Sequence, residues 1–188
     1  MRNSIINTPI AVARPVVTVR KAALGDIAPV FNLIQQCSAA GLFNAIYLEP
    51  RFQAGLGLQL FTVVLFGKIR LPGGNWSRAG LHVVCSDGVF AGFALMRDLH
   101  PSGRRREIYL AAVQADMRRQ GLGRSLILSI LEQLEAGISI DAECQPCAGP
   151  MKHLLRSIGF SMHKPAGARA FTGGARVFTM QTGSRLAD

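Results

Sequence analysis

The apolar and polar positions alternate differently along the chain, and the pattern divides it into extended and helical runs. Residues 16–22 (VVTVRKA) are rich in β-branched side chains and predict a strand. Residues 25–41 predict a helix, with Asp26 near its start and Gly41 as its stop. Residues 49–69 predict a second helix or helix pair, ended by the loop LPGGNW. Residues 80–99 split into two strands about Ser86, Asp87 and Gly88, a hairpin signal, and residues 106–115 resume as a strand after HPSG. These three strands form an antiparallel meander. Leu126, Ile127, Ile130, Leu131 and Leu134 then fall at helical spacing in a segment that ends at Gly137. A strand over 138–143, a short helix over 149–160 and a closing strand over 175–182 complete the order. No internal repeat, low-complexity tract or linker interrupts it, so the reading is one domain over residues 16–188 behind a flexible leader at 1–15.

Length and composition agree with that reading: 188 residues, 49% of them hydrophobic and 17% charged, are enough for one globular domain with a real core. The longest apolar stretch, AGLGLQLFTVVLFG at residues 54–67, is bounded by Arg51 and Lys68 and holds three glycines and a glutamine, which falls short of a membrane span and suits a buried or partner-facing helix. Asn7 and Pro9 interrupt any signal-peptide core at the start of the chain. Four scattered cysteines, Cys37, Cys85, Cys144 and Cys147, suit a reducing cytoplasm.

The charge changes the picture more. A formal net charge of +10 asks for an anionic partner, which could be nucleic acid, a membrane surface or a phosphorylated small molecule. Arg104, Arg105, Arg106, Arg118, Arg119 and Arg124 crowd one window, opposed there only by Glu107 and Asp116. Within it, MRRQGLGRS joins the end of a strand to the start of a helix. Backbone N–H groups at a helix N-terminus lack internal partners, and the helix dipole is positive there, so an anion is favoured. Gly121 and Gly123 let the backbone approach that anion without a Cβ in the way. Neither a P-loop nor the dinucleotide fingerprint is present, because no Lys and hydroxyl residue follow the second glycine and no earlier glycine precedes the pair.

Arg118-Arg119-Gln120-Gly121-Leu122-Gly123 fits the R/Q-x-x-G-x-G/A signature. With EIYLAAV before it, RSLILSILEQL after it and LLRSIGF later, the chain resembles the GNAT N-acyltransferases in order from Val17 to Thr182. The resemblance implies an α/β (α+β) fold, a mixed, mostly antiparallel sheet flanked by helices with a splayed central strand pair. It also implies acetyl-CoA as acyl donor and an amine as acceptor, joined by direct attack in a ternary complex. The arm of the coenzyme would lie along backbone at Ala111, Ala112 and Val113. The diphosphate would meet the N–H groups from Arg119 to Ser125, through Gln120, Gly121, Leu122, Gly123 and Arg124, with Arg118 beside them. No nucleic acid and no membrane are expected as partners, and a homodimer is, as family members often form one.

Acyl transfer to an alkylamine requires removal of a proton, since the free amine is mostly ammonium at neutral pH. Glu107 is the candidate base, fourteen positions before Gly121 as in some family members. Strand alternation puts it on one face with Tyr109. A surface ion pair is the alternative role for Glu107. The tyrosine that many members carry in the late helix as proton donor is replaced by Leu155, and Ala148 stands near the place of an asparagine often found there. Tyr109, Ser157 or water remain as donors. The departure keeps a second reading open, a CoA-binding module without turnover, and the basic window a third, a nucleic-acid-binding protein, although it lacks interleaved aromatic residues. Cys144-Gln145-Pro146-Cys147 has the form of a redox turn, in a context that fits packing better. His82, His100, His153 and His163 form no recognisable set, while Phe43 and Trp76 are candidates to shape the acceptor pocket.

Overall fold

The structure, a computed structural model, describes residues 15–71, 73–163 and 176–182. The leader expected at 1–15 lies almost wholly outside them, as does most of the loop before the closing strand. Strand β1 (Val17–Lys21) leads into helix α1 (Ile27–Ala39), and helix α2 (Pro50–Phe66) leads into the short strand β2 (Lys68–Arg70). The meander β3 (Trp76–Ser86), β4 (Val89–Asp98) and β5 (Arg105–Val113) comes next, then α3 (Leu122–Glu132), β6 (Ser139–Cys144), α4 (Gly149–Ser157), β7 (Ser161–His163) and β8 (Arg176–Gln181).

The strands form one sheet in the order β1-β3-β4-β5-β6-β8-β7, with β2 also pairing with β3. Every pairing is antiparallel except that of β5 with β6. Each face carries its own apolar layer. On one, α1 and α2 bury Val30, Leu33, Ile34, Leu56, Leu60 and Val63 over Leu81, Val83 and Phe93. On the other, α3 and α4 bury Leu122, Leu126, Ile127, Ile130 and Leu155 over Ala94, Ile140 and Phe178. A sheet whose central strands are apolar on both sides needs both layers.

Local chemistry sets the element ends. Pro50 occupies the first turn of α2, where its missing N–H costs nothing, and Gly67 closes the helix at φ 63. Helix α3 stops at Glu132, short of Gly137, because Gln133 and Leu134 turn their N–H groups to the carbonyls three residues back and tighten the last turn. Strand β3 begins at Trp76, four residues before the expected start, because its early part pairs with β2. Strand β2 was not foreseen: three residues are too few to show a period, and only Ile69 among them is buried.

Two irregularities mark the pairing of β4 with β5. Between Leu95 and Met96 the register shifts, so that Leu95 faces Leu110 and Met96 faces Ile108, leaving Tyr109 as an extra residue in β5. Ile108 before this bulge packs under α3, whereas Leu110 just after it packs under α1 and α2, so the bulge reverses which residues face which side. At the far end of the same pair, Gly92 faces Val113. A Cβ there would run into the Ala112 carbonyl oxygen and crowd Val113. Gly92→Ala is therefore expected to destabilise the protein by about 1–3 kcal/mol, measured by urea unfolding, since backbone cannot yield as a flexible side chain does.

Candidate active site

The parallel pairing of β5 with β6 lasts only four rungs, from Arg105 opposite Ser139 to Ile108 opposite Ala142. Beyond Ile108 the strands part, although β5 runs on to Val113 and β6 to Cys144. Ala111, Ala112 and Val113 are half-buried in this splay, bonded to β4 on one edge only. An unpaired strand edge facing a gap is a template for an extended ligand.

The glycine-bearing segment caps the same gap. After a short turn at Ala115–Met117 the backbone passes through left-handed Arg119 (φ 69) and Gly121 (φ 80) into α3. The first helical bond runs from Ser125 N–H to the Gly121 carbonyl at 3.0 Å. The N–H groups of Leu122, Gly123 and Arg124 thus lie in the open first turn, where a helix N-terminus favours an anion. Gly123 packs where a Cβ would touch Leu154 of α4 at 3.4 Å. Gln120, Arg119 and Ser125 are exposed. Arg118 and Arg124 are engaged elsewhere: Arg118 Nε donates to the Val113 carbonyl at 3.1 Å, and an Arg124 guanidinium nitrogen donates to Ser157 Oγ at 3.1 Å.

On the side of α2, β4 and β5 form the floor of a cleft of about 370 Å³, lined by Phe52, Gln59, Ile69, Arg70, Leu71, Arg97 and Tyr109. Arg97 organises the floor. Its Nε donates to Glu107 Oε2 at 2.6 Å, both side chains being largely buried, and its guanidinium lies 4.0 Å from the centre of the Tyr109 ring. Glu107 and Tyr109 do share a face, and Glu107 is indeed in an ion pair, but one set into the cleft floor. The Tyr109 hydroxyl lies 3.2 Å from that of Tyr47, whose phenol is pushed up chiefly by burial and then by Tyr109. Gln35 Nε2 donates to the Tyr47 carbonyl and holds that loop on α1. Arg105 grips Asp141, which lies opposite Glu107 in the parallel pairing, and Asp141 accepts from Thr179 as well.

By alternation Glu143 shares a face of β6 with Asp141, at the mouth of the splay. It is solvent-reached, yet its carboxyl is held above the usual carboxylate range, first by partial burial and then by the nearby Glu107, with Arg97 opposing.

Three site residues escaped the sequence reading: Tyr47, Arg97 and Glu143. Only Arg97 left a signal, a cation facing the sheet interior in a strand otherwise apolar on that face.

The other candidates fall away from this centre. Leu155 is fully buried in the layer under α3 and has nothing to donate. Ser157 gives its hydroxyl proton to the Leu154 carbonyl at 2.8 Å while accepting from Arg124. Cys144 is buried and its thiol is pushed up to about 11, chiefly by burial, while the exposed Cys147 donates to the Gly41 carbonyl at 3.0 Å. Both are free thiols, and a proton held that firmly leaves no reactive thiolate on Cys144. Among the described residues no three His, Cys, Asp or Glu side chains gather as a metal requires, and no helix is long and apolar enough to cross a membrane.

A strand pair that parts beside a glycine-opened helix N-terminus defines a class of protein, and comparison agrees with it. The profile of the acetyltransferase (GNAT) family matches residues 67–160, half of the chain. The chain belongs to the GNAT acetyltransferase family and is an acyltransferase of the acetyl-CoA-dependent kind. Its fold is similar to that of phosphinothricin acetyltransferase from Sinorhizobium meliloti in complex with acetyl-CoA, at 16% identity over 92% of this chain and 91% of that one, with a TM-score of 0.68. It is also similar to the PaiA N-acetyltransferase from Thermoplasma acidophilum in complex with coenzyme A, at 12% identity over 88% and 99% of the two chains and a TM-score of 0.64. The ribosomal-protein-S18-alanine N-acetyltransferase from Escherichia coli aligns at 17% identity over 92% and 100%, with a TM-score of 0.58. No curated protein matches the sequence at significance.

Proposed function

We propose that the protein transfers the acetyl group of acetyl-CoA to a primary amine, by direct attack in a ternary complex, within the single domain that starts near residue 16. The observation that carries this reading is the continuity of the two open backbone edges. The unpaired side of β5 from Tyr109 to Val113 runs straight to the free N–H groups at the start of α3. A chain of pantetheine length laid along the first would place its diphosphate at the second. The Val113 carbonyl, now bonded by Arg118, lies on that route.

The reacting end then falls beside Tyr109, where the cleft opens. The amine nitrogen attacks the thioester carbon, the carbon–sulfur bond breaks as the carbon–nitrogen bond forms, the amine gives up one proton and the departing thiolate takes one. Glu107, fixed by Arg97, is the proton acceptor in this reading, and Glu143 at the mouth of the splay is the second carboxylate within reach of the ammonium. Tyr109 faces the cleft and replaces the missing late-helix tyrosine as donor to the thiolate. Backbone N–H groups of the parted strand polarise the carbonyl, and holding both reactants in one geometry supplies much of the rate.

The test is acetyl-CoA binding by calorimetry on the full chain, followed by thiol release with a panel of amines. Binding with amine-dependent thiol release is the expected result. Binding without release for any amine would favour the second reading, a CoA-holding module, to which the loss of the late-helix tyrosine at Leu155 points. No binding would remove both.

A further inference from the structure

At its β2 end the sheet has an uncovered face on the side away from the cleft. Ile69, Ala79 and Leu81 turn into the apolar layer under α1 and α2. Their neighbours Lys68, Arg70, Trp76 and Arg78 therefore turn the other way. Pairing sets these four side by side, Lys68 opposite Arg78 and Arg70 opposite Trp76. All four are exposed, Trp76 at 58%. Helices α3 and α4 cover the same face farther along, over Val84, Ala94, Met96, Ile108 and Ile140, and none of the four joins that layer. Lys21 of β1, opposite His82 on β3, adds a further exposed cation to the face. Strands β1 to β5 bring one acid to it, Asp98, and Arg106 already holds that carboxylate at 3.0 Å. Among the described residues no carboxylate lies within ion-pair distance of Lys21, Lys68, Arg70 or Arg78. Arg70 also borders the cleft, where its carbonyl accepts from Gln59 at 3.1 Å.

We propose that this face binds single-stranded nucleic acid, with a base stacked on Trp76 and neighbouring phosphates on Arg70, Arg78 and Lys68. The sequence had pointed away from such a partner because the basic window at 104–124 lacks interleaved aromatic residues; here the aromatic residue is present, on a different part of the chain. Unpaired cations on one face are an electrostatic footprint for a polyanion, and their charge is undiminished by neighbouring acids. The aromatic ring narrows the class. An indole standing on an open strand offers its π-face to any unpaired base, whereas in a duplex the bases are stacked on one another and closed to it. Residues two apart on a strand lie about 7 Å from each other on one face, so Lys68 with Arg70 and Trp76 with Arg78 form two parallel rows at an interval that a stretched single strand also keeps between its phosphates. A lipid surface would call for several apolar side chains beside the cations, and Trp76 stands alone among the four. The face lies across the sheet from Glu107 and Tyr109, so both can be occupied together.

Fluorescence anisotropy of a labelled oligouridine of about twelve nucleotides, titrated with the full chain, tests this directly. Binding is expected at low salt, and between about 50 and 200 mM salt the logarithm of the affinity should fall with a slope of about −2 to −3 against that of the salt, as three or four neutralised phosphates require. Trp76→Ala is expected to weaken binding roughly tenfold with the slope kept, and Trp76→Phe to restore most of the loss, because the ring supplies stacking and no charge. Lys68→Gln with Arg78→Gln should instead make the slope shallower by about 1.4. Circular dichroism and acetyl-CoA affinity should stay unchanged in all three, since these exposed side chains lie outside both cores and away from the start of α3. The double variant keeps the test decisive should Trp76→Ala fold poorly. No binding at low salt would overturn the proposal. So would affinity indifferent to both sets of substitutions, equal affinity for the same sequence in a duplex, or a chain that ignores the oligonucleotide and sediments with phosphatidylserine vesicles. Since acetyl-CoA binding is measured separately, its failure would count against the enzymatic reading without touching this surface.

Discussion

Replacing Glu107 by glutamine is expected to lower kcat by roughly two to four orders of magnitude, the usual contribution of a positioned base, while the Kd for acetyl-CoA changes by less than about twofold. Glutamine keeps the size of the side chain and can still accept from Arg97 Nε, so Arg97 stays over the Tyr109 ring and the cleft keeps its shape. What is lost is the charge and the ability to take a proton. Unchanged kcat at saturating amine would remove Glu107 from the chemistry. Glu143→Gln provides the contrast. If the large loss appears there, the exposed carboxylate on β6 is the base and Glu107 only positions Arg97. Glu143 also makes a prediction about stability. Its carboxyl is held above the ordinary range by partial burial and by Glu107, so the folded chain keeps that proton to higher pH than the unfolded chain does. Stability therefore falls as pH climbs through that interval. Glu143→Gln should raise Tm at neutral pH and leave it unchanged in acid, where both forms of the site are neutral.

Placing an acid at Ser125 should separate the stability of helix α3 from its binding of phosphate. Ser125 is exposed, and its N–H makes the first bond of the helix. In Ser125→Glu the new charge lies near the positive end of the helix and favours folding by about 0.3–1 kcal/mol. The same charge confronts the diphosphate. Acetyl-CoA affinity is expected to fall by roughly ten- to a hundredfold while Tm holds or rises, with Ser125→Gln as the control for bulk. Stability and affinity moving together, or affinity left intact, would mean that the diphosphate does not lie on these N–H groups.

Much of this was legible in the sequence, and the physics says why. The long strands and helices carry their own periods, so the order of elements is correct from Val17 to Cys144 apart from β2, and Gly121 announces the open helix start because few other residues tolerate its left-handed backbone. The splay could be named only through resemblance, because nothing in EIYLAAV or ISIDAE records where two strands stop pairing. The cleft floor was the least visible part. Arg97 lies ten residues from Glu107 and Tyr47 lies sixty-two from Tyr109, and each pair meets only because a strand register or a loop brings it together. The bulge at Tyr109 was equally silent, since an extra residue in a strand looks like any other until its neighbour is known.

That extra residue makes β5 two strands in one as far as variation is concerned. Upstream of Tyr109 the odd-numbered positions, with Arg105 and Glu107, belong to the open polar floor; downstream the even-numbered ones, Leu110 and Ala112, belong to the roofed apolar layer. A lineage can therefore rewrite the floor to suit a new acceptor while leaving the coenzyme half untouched. Deleting Tyr109 itself would close the bulge and leave every later residue with the β4 partner and the face it has now, while removing the ring that Arg97 covers.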